Sequence, residues 1–288
     1  MRIAWFGTGM MGSGFVEAMR RRGEEVVVWN RSPEKAKALE RFGALAVADA
    51  HAAARGAQRV HIMLSDDPAV DQLLDSLEGS FDSQAIVIDH STVAPAQTAR
   101  RFGRMASRGT PFLHAPVFMS PQAARDGAGV MLAAGPKDVF AKVESELAAM
   151  TGHLWYTGER TDLAAAYKLF GNEILIFIVA GLADMYGIAQ SVGLGPREAF
   201  ALFSHFKPGA AIDFRGKKMA EGDFRSSFDL AMARKDVRLM LETAAAAGVP
   251  LHVLPAIAAR MDAVIAQGHG SEDLAVIGLD RLPENALR

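Results

Sequence analysis

Apolar residues in the first half of the chain fall into short runs that alternate with amphipathic segments. Four apolar runs cover residues 1–6, 25–29, 60–64 and 85–89, and further candidates cover 113–117, 130–134 and 154–156. Short, uniformly apolar runs are typical of parallel strands buried on both faces. Helical patterns lie between them, as at 94–107 and 137–149. The alternation predicts an α/β domain with a doubly wound parallel sheet.

The pattern changes after residue 160. One helical pattern holds from 162 to 192, and the segments 196–204, 208–221, 228–247, 250–268 and 271–280 are helical as well. We therefore predict a nucleotide-binding domain at 1–160 and an all-helical domain at 161–288. The apolar stretch 174–183 is shorter than the ~18 residues that a membrane span needs. It predicts a buried helix and no membrane association.

A glycine-rich turn connects the first predicted strand to the first predicted helix. Its sequence is Gly7-Thr8-Gly9-Met10-Met11-Gly12. In such a turn Gly7 permits the tight bend, Gly9 lets phosphates approach the backbone, and Gly12 lets the helix pack closely on the strand. The N–H groups and the dipole at the helix N-terminus attract the anion. The turn predicts a dinucleotide site, with an ordinary strand–helix turn as the alternative.

The second strand ends in Asn30-Arg31-Ser32. An acidic residue at this position would accept from a ribose 2′-OH, whereas Arg31 can pair with a 2′-phosphate and the two polar neighbours can donate hydrogen bonds. The segment favours NADP, with NAD possible. Alternatively, Arg31 is a solvated turn residue and Ser32 only caps the next helix. Leu64, which ends the third predicted strand, is also expected at the cofactor.

Lys168 is the candidate for proton transfer. It lies early in the long helix, and Asn172 shares its face because the two are four residues apart. Partial burial would lower the pKa of the lysine toward the range useful for a proton donor. The alternative is a lysine that extends from an apolar helix to solvent.

Three other positions permit two interpretations. Ser91 follows the fourth strand and is either a site residue or a cap for the helix near 94. His90 either contacts the cofactor or is a loop histidine. His61, inside the third strand, is expected to be a core histidine.

Composition narrows the possible functions. Of 288 residues, 22% are charged, the net charge is −2 and cysteine is absent. This balance gives no reason to expect a nucleic-acid partner, and disulfides and cysteine-ligated metals are excluded. The histidines show no spacing that predicts a metal site. Because a strand begins at once, we expect no signal peptide and a cytoplasmic location.

Together these motifs resemble the β-hydroxyacid dehydrogenase family, which includes 3-hydroxyisobutyrate dehydrogenase, tartronate semialdehyde reductase and the glyoxylate/succinic semialdehyde reductases. They occur in the family's order: the turn at 7–12, 89–92, 115–117, Lys168 with Asn172, and Lys235-Asp236. The resemblance implies a Rossmann domain followed by a helical domain, and dimers or tetramers built through the helical parts. It also implies no metal, with Lys168 as general acid/base, Ser91 and Thr92 near nicotinamide and substrate, and Lys235 at the cofactor cleft.

Two departures from the family pattern stand out. The family usually has Ser-Gly-Gly where this chain has Phe118-Met119-Ser120, and the backbone amides of that segment hold the substrate carboxylate. The family's usual Asn-Asn is here Gly171-Asn172. Bulky apolar side chains in the carboxylate-binding segment suggest a larger or less acidic substrate.

The sequence thus predicts an oxidoreductase that transfers hydride between NADP and a β-hydroxyacid or related alcohol, with the corresponding semialdehyde as the other partner. An imine reductase on the same fold is one alternative, favoured by Phe118-Met119 and disfavoured by Lys168. A non-catalytic NADP-binding protein is the other.

Overall fold

A computed structural model describes residues 1–282, which form two compact units. The first covers Met1–Glu173 and the second begins at Ile174. The first unit contains nine strands. They are β1 Arg2–Phe6, β2 Glu25–Trp29, β3 Leu45–Ala46, β4 Arg59–Ile62, β5 Ile86–Asp89, β6 Phe112–His114, β7 Val117–Phe118, β8 Val130–Ala134 and β9 His153–Gly158.

Eight helices of the first unit connect these strands, and a ninth leads out of it. They are α1 Met10–Arg21, α2 Pro33–Lys37, α3 Ala50–Ala54, α4 Asp67–Ser76, α5 Pro95–Ser107, α6 Pro121–Arg125, α7 Lys137–Ala141, α8 Glu144–Ala148 and α9 Leu163–Ser191. A single helix predicted at 137–149 is therefore two short helices. Because α9 continues from the first unit into the second, the predicted domain boundary at 160/161 stays a prediction.

All strands belong to one sheet in the order β3-β2-β1-β4-β5-β6-β8-β7, and β9 pairs with β8. The strands from β3 to β6 are parallel to one another, which confirms the Rossmann-type prediction. The predicted strand at 113–117 is divided at Pro116. Its second part, β7, runs antiparallel to β8.

The order of the strands reverses beside β1, between the β1–β2–β3 half and the half that starts with β4. Ligands of open α/β sheets bind outside the carboxyl ends of the strands at such a reversal. The residues that leave those ends are Gly7 after β1, Asn30 after β2, Met63 after β4 and His90 after β5. The sheet therefore brings the predicted site segments to one edge.

The sheet is covered on both faces because its side chains alternate. Ile3 and Trp5 of β1 belong to one buried cluster with Phe15 of α1, and Ala4 and Phe6 belong to the other. All four strand residues are fully buried. Burial on both faces explains why the strands appear in the sequence as continuous apolar runs.

The second unit is built from helices, in agreement with the prediction of a helical segment. Beyond α9 these are α10 Pro196–Phe200, α11 Ala210–Glu221, α12 Leu230–Ala246 and α13 Leu254–Val264, followed by a 3-10 segment at Leu274–Arg281. Asp184 of α9 fixes the start of α13, since its carboxylate accepts from the backbone N–H of Val253 and Leu254 at 2.9 Å.

The prediction that 174–183 is a buried helix was wrong for the single chain. Side chains from Ile174 to Val179 are largely exposed, with Ile176 at 68% and Val179 at 66% of full exposure. Among the described residues, α9 is also the one helix that is long and apolar enough to cross a membrane, by length and composition only. The periodicity predicted the helix correctly. The apolar composition of a helix does not show whether its own chain, a second chain or a membrane covers it.

Candidate active site

The glycine turn after β1 has the geometry that its sequence predicts. Gly7 adopts a φ of +97°, and a Cβ built there would lie 2.1 Å from the carbonyl oxygen of Met63. A Cβ at Gly12 would lie 2.0 Å from the carbonyl oxygen of Gly7. That oxygen also accepts from Nε1 of Trp5 at 2.9 Å. Side chains at positions 7 and 12 are thus excluded by the protein itself.

Gly9 differs from the other two glycines, because a Cβ there would meet no atom within 4 Å. Gly9 is the N-cap residue of α1 and offers no side-chain acceptor to the first turn of the helix. The first turn of α1 therefore has no side-chain cap and has open space beside Gly9, which suits an anion at the positive end of the helix dipole. The opening that a Cβ would fill fits a pyrophosphate, so the turn fits a dinucleotide.

Asn30 connects the glycine turn to the loop after β2. Its Oδ1 accepts from the backbone N–H of Thr8 at 3.1 Å, and its Nδ2 donates to the carbonyl of Ser32 at 3.1 Å. Ser32 is the N-cap residue of α2, as predicted, but its side chain makes no capping hydrogen bond. Asn30 is engaged within the protein, whereas the hydroxyl of Ser32 stays available to a ligand.

A cavity of about 410 Å³ lies on the β2 side of the turn. Gly7, Gly9, Arg31, Ser32 and Lys35 are among its lining residues, and within residues 1–282 no carboxylate lines it. Lys35, in the first turn of α2, was missed by the sequence analysis. The sequence contained one signal for Lys35, namely its position three residues after Ser32, the predicted N-cap of α2. Two cations without a carboxylate form a surface that fits a phosphate.

A second cavity of about 460 Å³ lies on the other side of the turn and shares Gly9, Met63, Leu64 and Ser65 with the first. Its other lining residues come from α1, from the segments after β5 and β6, and from α9. They are Met10, Met11, Gly12, His90, Ser91, Thr92, Val117, Met119 and Lys168. The structure thus brings together most of the residues predicted for the nicotinamide and substrate end. Met63 and Ser65 were not predicted.

Ser91 is a buried residue of this cavity and not a helix cap, because α5 begins at Pro95 with Ala94 at the N-cap. Its Oγ accepts from the backbone N–H of Leu64 at 2.9 Å, and its own N–H donates to Oδ1 of Asp89 at 2.9 Å. Because Oγ is the acceptor in the first bond, the hydroxyl hydrogen remains free to donate to a ligand.

Lys168 is half-buried in the first turns of α9, and its Nζ donates to Oδ1 of Asn172 at 3.0 Å. The Nζ also lies 4.2 Å from the centre of the Phe118 ring. Burial lowers the pKa of the Lys168 ammonium from its ordinary value. The lysine of this chain therefore has the position, the orienting partner and the direction of pKa change that proton transfer requires.

Three buried histidines belong to this region: His90 lines the cavity, and His61 and His114 are fully buried. Nδ1 of His90 is 2.7 Å from the carbonyl oxygen of Ala115, so it carries the hydrogen and donates. Nε2 of His90 then accepts from Nδ1 of His61 at 2.9 Å. His114 faces the backbone oxygen of Ser91 at 3.1 Å. Burial lowers the pKa of all three imidazoles, that of His90 to about 4.

Thr8, Phe118 and Asn172 line neither cavity but contact residues that do or that flank them, whereas Ser120 and Lys235 line neither cavity and have other partners. Ser120 is exposed and caps α6, its Oγ accepting from the N–H of Ala123 at 3.1 Å. Lys235 lies on α12 of the second unit, where its Nζ pairs with Oδ1 of Asp236 at 2.9 Å. Their roles stay predictions. Among residues 1–282, no group of three or more His, Asp or Glu side chains could hold a metal ion.

Comparison with known families accounts for nearly the whole chain. Residues 2–158 match the family described as the NAD-binding domain of 6-phosphogluconate dehydrogenase. Residues 163–279 match the family described as the NAD-binding domain of NADP-dependent 3-hydroxyisobutyrate dehydrogenase. The chain belongs to the β-hydroxyacid dehydrogenase family. The resemblance inferred from the motifs is thereby confirmed.

Relatives of known activity support the same assignment. Glyoxylate/succinic semialdehyde reductase 2 of Arabidopsis thaliana is 29% identical over 83% of this chain and 68% of its own length. The 2-hydroxy-3-oxopropionate reductase of Escherichia coli is 25% identical over 87% of each chain. At the level of the family, the protein is an NAD(P)-dependent oxidoreductase of hydroxyacids and semialdehydes.

Solved structures of this β-hydroxyacid dehydrogenase fold include enzymes of another activity. An imine reductase from Myxococcus stipitatus in complex with NADP+ has a TM-score of 0.91 at 18% identity and covers 97% of this chain and 99% of its own. At that identity the likeness shows the fold alone.

Proposed function

We propose that the protein is an NADP-dependent reductase that interconverts the semialdehyde and alcohol forms of a β-hydroxyacid or related alcohol. One observation carries the proposal: Lys168, held by Asn172, lines the same cavity that begins at the glycine turn. NADPH supplies a hydride to the carbonyl carbon when it is bound. Lys168 then donates a proton from Nζ to the oxygen of that carbonyl, and takes the proton back in the oxidation direction.

Ser91 supports this arrangement because it lines the same cavity as Lys168 and the glycine turn. Its free hydroxyl hydrogen can donate to the substrate oxygen while its Oγ stays fixed by the backbone of Leu64. Asn172 holds the ammonium group in place. The three residues Lys168, Asn172 and Ser91 are therefore proposed as the catalytic set.

The preference for NADP over NAD is proposed from the first cavity. Arg31 and Lys35 supply two positive charges there, Ser32 supplies a hydroxyl that makes no capping hydrogen bond, and the described part of the chain contributes no carboxylate to the lining. A 2′-phosphate would gain two charge-assisted contacts at this place, while a free 2′-OH would find no acidic acceptor. NAD binding would use the same glycine turn with lower affinity.

Imine reduction is the second candidate, and Met119 favours it. This apolar side chain lines the cavity where family members have a segment that holds the substrate carboxylate. A site without that carboxylate contact would accept an uncharged carbonyl or an imine. Lys168 favours the carbonyl, because a positively charged donor repels a protonated imine.

The deciding experiment measures NADPH consumption by the purified protein with glyoxylate, succinic semialdehyde, methylmalonate semialdehyde, tartronate semialdehyde, an uncharged aldehyde and a cyclic imine. Turnover of a carboxylate-bearing aldehyde supports the proposed function. Turnover of only the uncharged aldehyde or the imine would replace it with the second candidate. Tight NADPH binding with no turnover of any compound would indicate a non-catalytic NADP-binding protein.

A homodimer or homotetramer is proposed to cover the exposed apolar segment of α9, defined by Ile174 to Val179. In a second copy of this chain the same residues form an equally apolar surface, and the family resemblance implies assembly through the helical part. The protein would then be soluble, cytoplasmic and free of membrane and nucleic acid. Light scattering of the protein purified without detergent tests this, since a monomer, or recovery only in the membrane fraction, contradicts it.

A further inference from the structure

Two of the residues that depart from the family pattern touch each other. Phe118 of β7 and Gly171 of α9 are far apart in the sequence, but a Cβ built at Gly171 would lie 2.4 Å from Cζ and 2.5 Å from Cε1 of the Phe118 ring. Distances below 3.0 Å are not compatible with a real Cβ contact. The ring thus occupies the volume that any side chain at position 171 would need.

The same ring contacts the candidate proton donor. Nζ of Lys168 lies 4.2 Å from the ring centre, within the range in which an ammonium group is attracted to an aromatic face. The Nζ donates to Asn172 as well, at 3.0 Å. The ammonium is therefore held by one aromatic ring and one neutral amide.

Phe118 is in turn fixed by the sheet. The strand residue pairs with Val130 of β8, and the ring packs against a small buried cluster that contains Leu132, Ala134 and Ala164. Tyr167, the neighbour of Lys168 on α9, packs against the same cluster. The first turns of α9 and the Phe118 ring therefore share one packing surface next to Lys168.

We propose that Phe118 is a positioning residue for Lys168 and that Gly171 is the space that its ring requires, so that the two residues act as one unit. This inference rests on the proposed role of Lys168 as proton donor. The ring face stabilises the charged form of the lysine, which burial disfavours, and it fixes the ammonium without offering a proton acceptor. A side chain at position 171 would push the ring away from Nζ.

The first test measures the protonation of Lys168 without any substrate. Competitive acetylation followed by mass spectrometry gives the pH midpoint at which Nζ becomes reactive. Phe118→Leu keeps an apolar side chain but removes the aromatic face, so the midpoint is expected to fall by about 0.5–1 pH unit. Trp155→Leu is the matched control, because Trp155 stacks on Tyr167 of the same helix, whereas the ring that lies over the Lys168 ammonium is that of Phe118. An unchanged midpoint in Phe118→Leu, or an equal shift in the control, overturns the proposal.

The second test uses the thermal unfolding midpoint. Alanine is a better helix former than glycine, so Gly171→Ala would stabilise the protein if the space were free. With Phe118 present we expect the substitution to lower the midpoint by several degrees. In the Phe118→Ala background the same substitution is expected to raise it by about 2–4 °C. A rise in both backgrounds would show that the ring and Gly171 are not coupled.

The kinetic readout connects the unit to catalysis. Phe118→Leu is expected to move the basic limb of the pH profile of kcat downward by the same amount as the acetylation midpoint, with little change in the NADPH dissociation constant. A fall in kcat without any shift of the pH profile would indicate a purely structural role and overturn the proposal. If the wild-type protein reduces no carbonyl, the proposed function fails on its own, while acetylation and unfolding still decide whether the Phe118–Gly171 unit holds Lys168.

Discussion

Lys168 and Asn172 lie one helical turn apart on α9, and Nζ of the lysine donates to Oδ1 of the asparagine at 3.0 Å. An amide oxygen accepts from the ammonium without adding a negative charge. It therefore orients the lysine while leaving its pKa to be set by burial, which lowers it. This combination of an oriented and easily deprotonated ammonium is what distinguishes Lys168 from a lysine that extends into solvent.

Removal of the proposed proton donor should lower the rate of catalysis without weakening NADPH binding. Lys168→Ala is expected to lower kcat by roughly 10²-fold or more, because the proton must then come from water. The dissociation constant of NADPH, measured by fluorescence titration, should stay nearly unchanged. Lys142→Ala, on the loop between α7 and α8, serves as the control for loss of a lysine. Loss of turnover and NADPH binding together would point to a structural role of Lys168.

A negative charge introduced at position 172 should change the pH range in which the enzyme is active. In Asn172→Asp a carboxylate replaces the amide oxygen 3.0 Å from Nζ, which stabilises the ammonium and raises the pKa of Lys168. The basic limb of the kcat profile for carbonyl reduction is therefore expected to move upward by about 1 pH unit. Asn172→Leu should lower kcat because the ammonium loses its orienting acceptor. A profile that does not respond to Asn172→Asp would contradict a proton-donor role of Lys168.

Periodicity alone predicted most of the fold. The runs at 25–29 and 130–134 and the helix from 162 to 192 correspond closely to β2, β8 and α9, because burial on both faces or one continuous helix leaves a strong pattern. The two-residue strand β3 was missed, since a segment this short has no period. The antiparallel direction of β7 was also missed, because the direction of a strand depends on its long-range pairing.

Part of the candidate site could be predicted from the sequence because several of its residues lie in local motifs. The glycine turn and Lys168 were predicted from neighbouring residues and Ser91 from the family resemblance, and the structure places them around two cavities that share lining residues. The contact of Phe118 with Gly171 could not be predicted from the sequence, although both residues were recognised as departures from the family pattern. A contact between residues 53 positions apart in the sequence requires knowledge of the packing of β7 against α9.

The choice between NADPH and NADH should depend on the two cations of the first cavity. Arg31→Ala combined with Lys35→Ala is expected to weaken NADPH binding by at least 10-fold, because charge-assisted contacts to the 2′-phosphate are lost. Binding of NADH, which lacks this phosphate, should change less than about threefold. Lys37→Ala, on the same helix but absent from the cavity lining, is the control. Equal losses for both cofactors would contradict the proposed preference.

The buried histidines should make the protein sensitive to mild acid. His61, His90 and His114 stay neutral in the folded state because burial lowers their pKa values, that of His90 to about 4. In the unfolded chain they titrate near 6.5. Between these values the unfolded state binds more protons, so the free energy of unfolding falls as pH drops from about 6.5 to 4. Each histidine contributes up to about 1.4 kcal/mol per pH unit.

Urea unfolding at pH 7.5, 6 and 5 measures this dependence. The carboxylates with lowered pKa, such as Asp184 and Asp273, lose their contribution only below pH 4, so they do not obscure the window. His61→Phe should reduce the slope by about one proton, whatever its effect on absolute stability. His153→Gln, at an exposed position, should leave the slope unchanged. A stability that is constant from pH 7.5 to 5 would be inconsistent with three neutral buried imidazoles.

Substitutions at two glycines of the turn should have different effects. Gly9 should be required for cofactor binding and Gly12 for the stability of the fold. Gly12→Ala places a Cβ 2.0 Å from the carbonyl oxygen of Gly7, so α1 must move away from β1. We expect a loss of about 1–3 kcal/mol in the free energy of unfolding, together with a loss of NADPH binding. Gly9→Ala meets no protein atom within 4 Å and keeps a φ of −66°, which alanine adopts readily.

Gly9→Ala is therefore expected to unfold within about 0.5 kcal/mol of the wild type while its NADPH affinity falls at least 10-fold. The reason is that the new methyl group stands where the pyrophosphate must approach the first-turn amides of α1. Calorimetry for stability and fluorescence titration for NADPH give the two readouts on the same samples. Unchanged NADPH affinity in Gly9→Ala would place the pyrophosphate elsewhere, because the open space at Gly9 is the feature that makes this turn fit a dinucleotide.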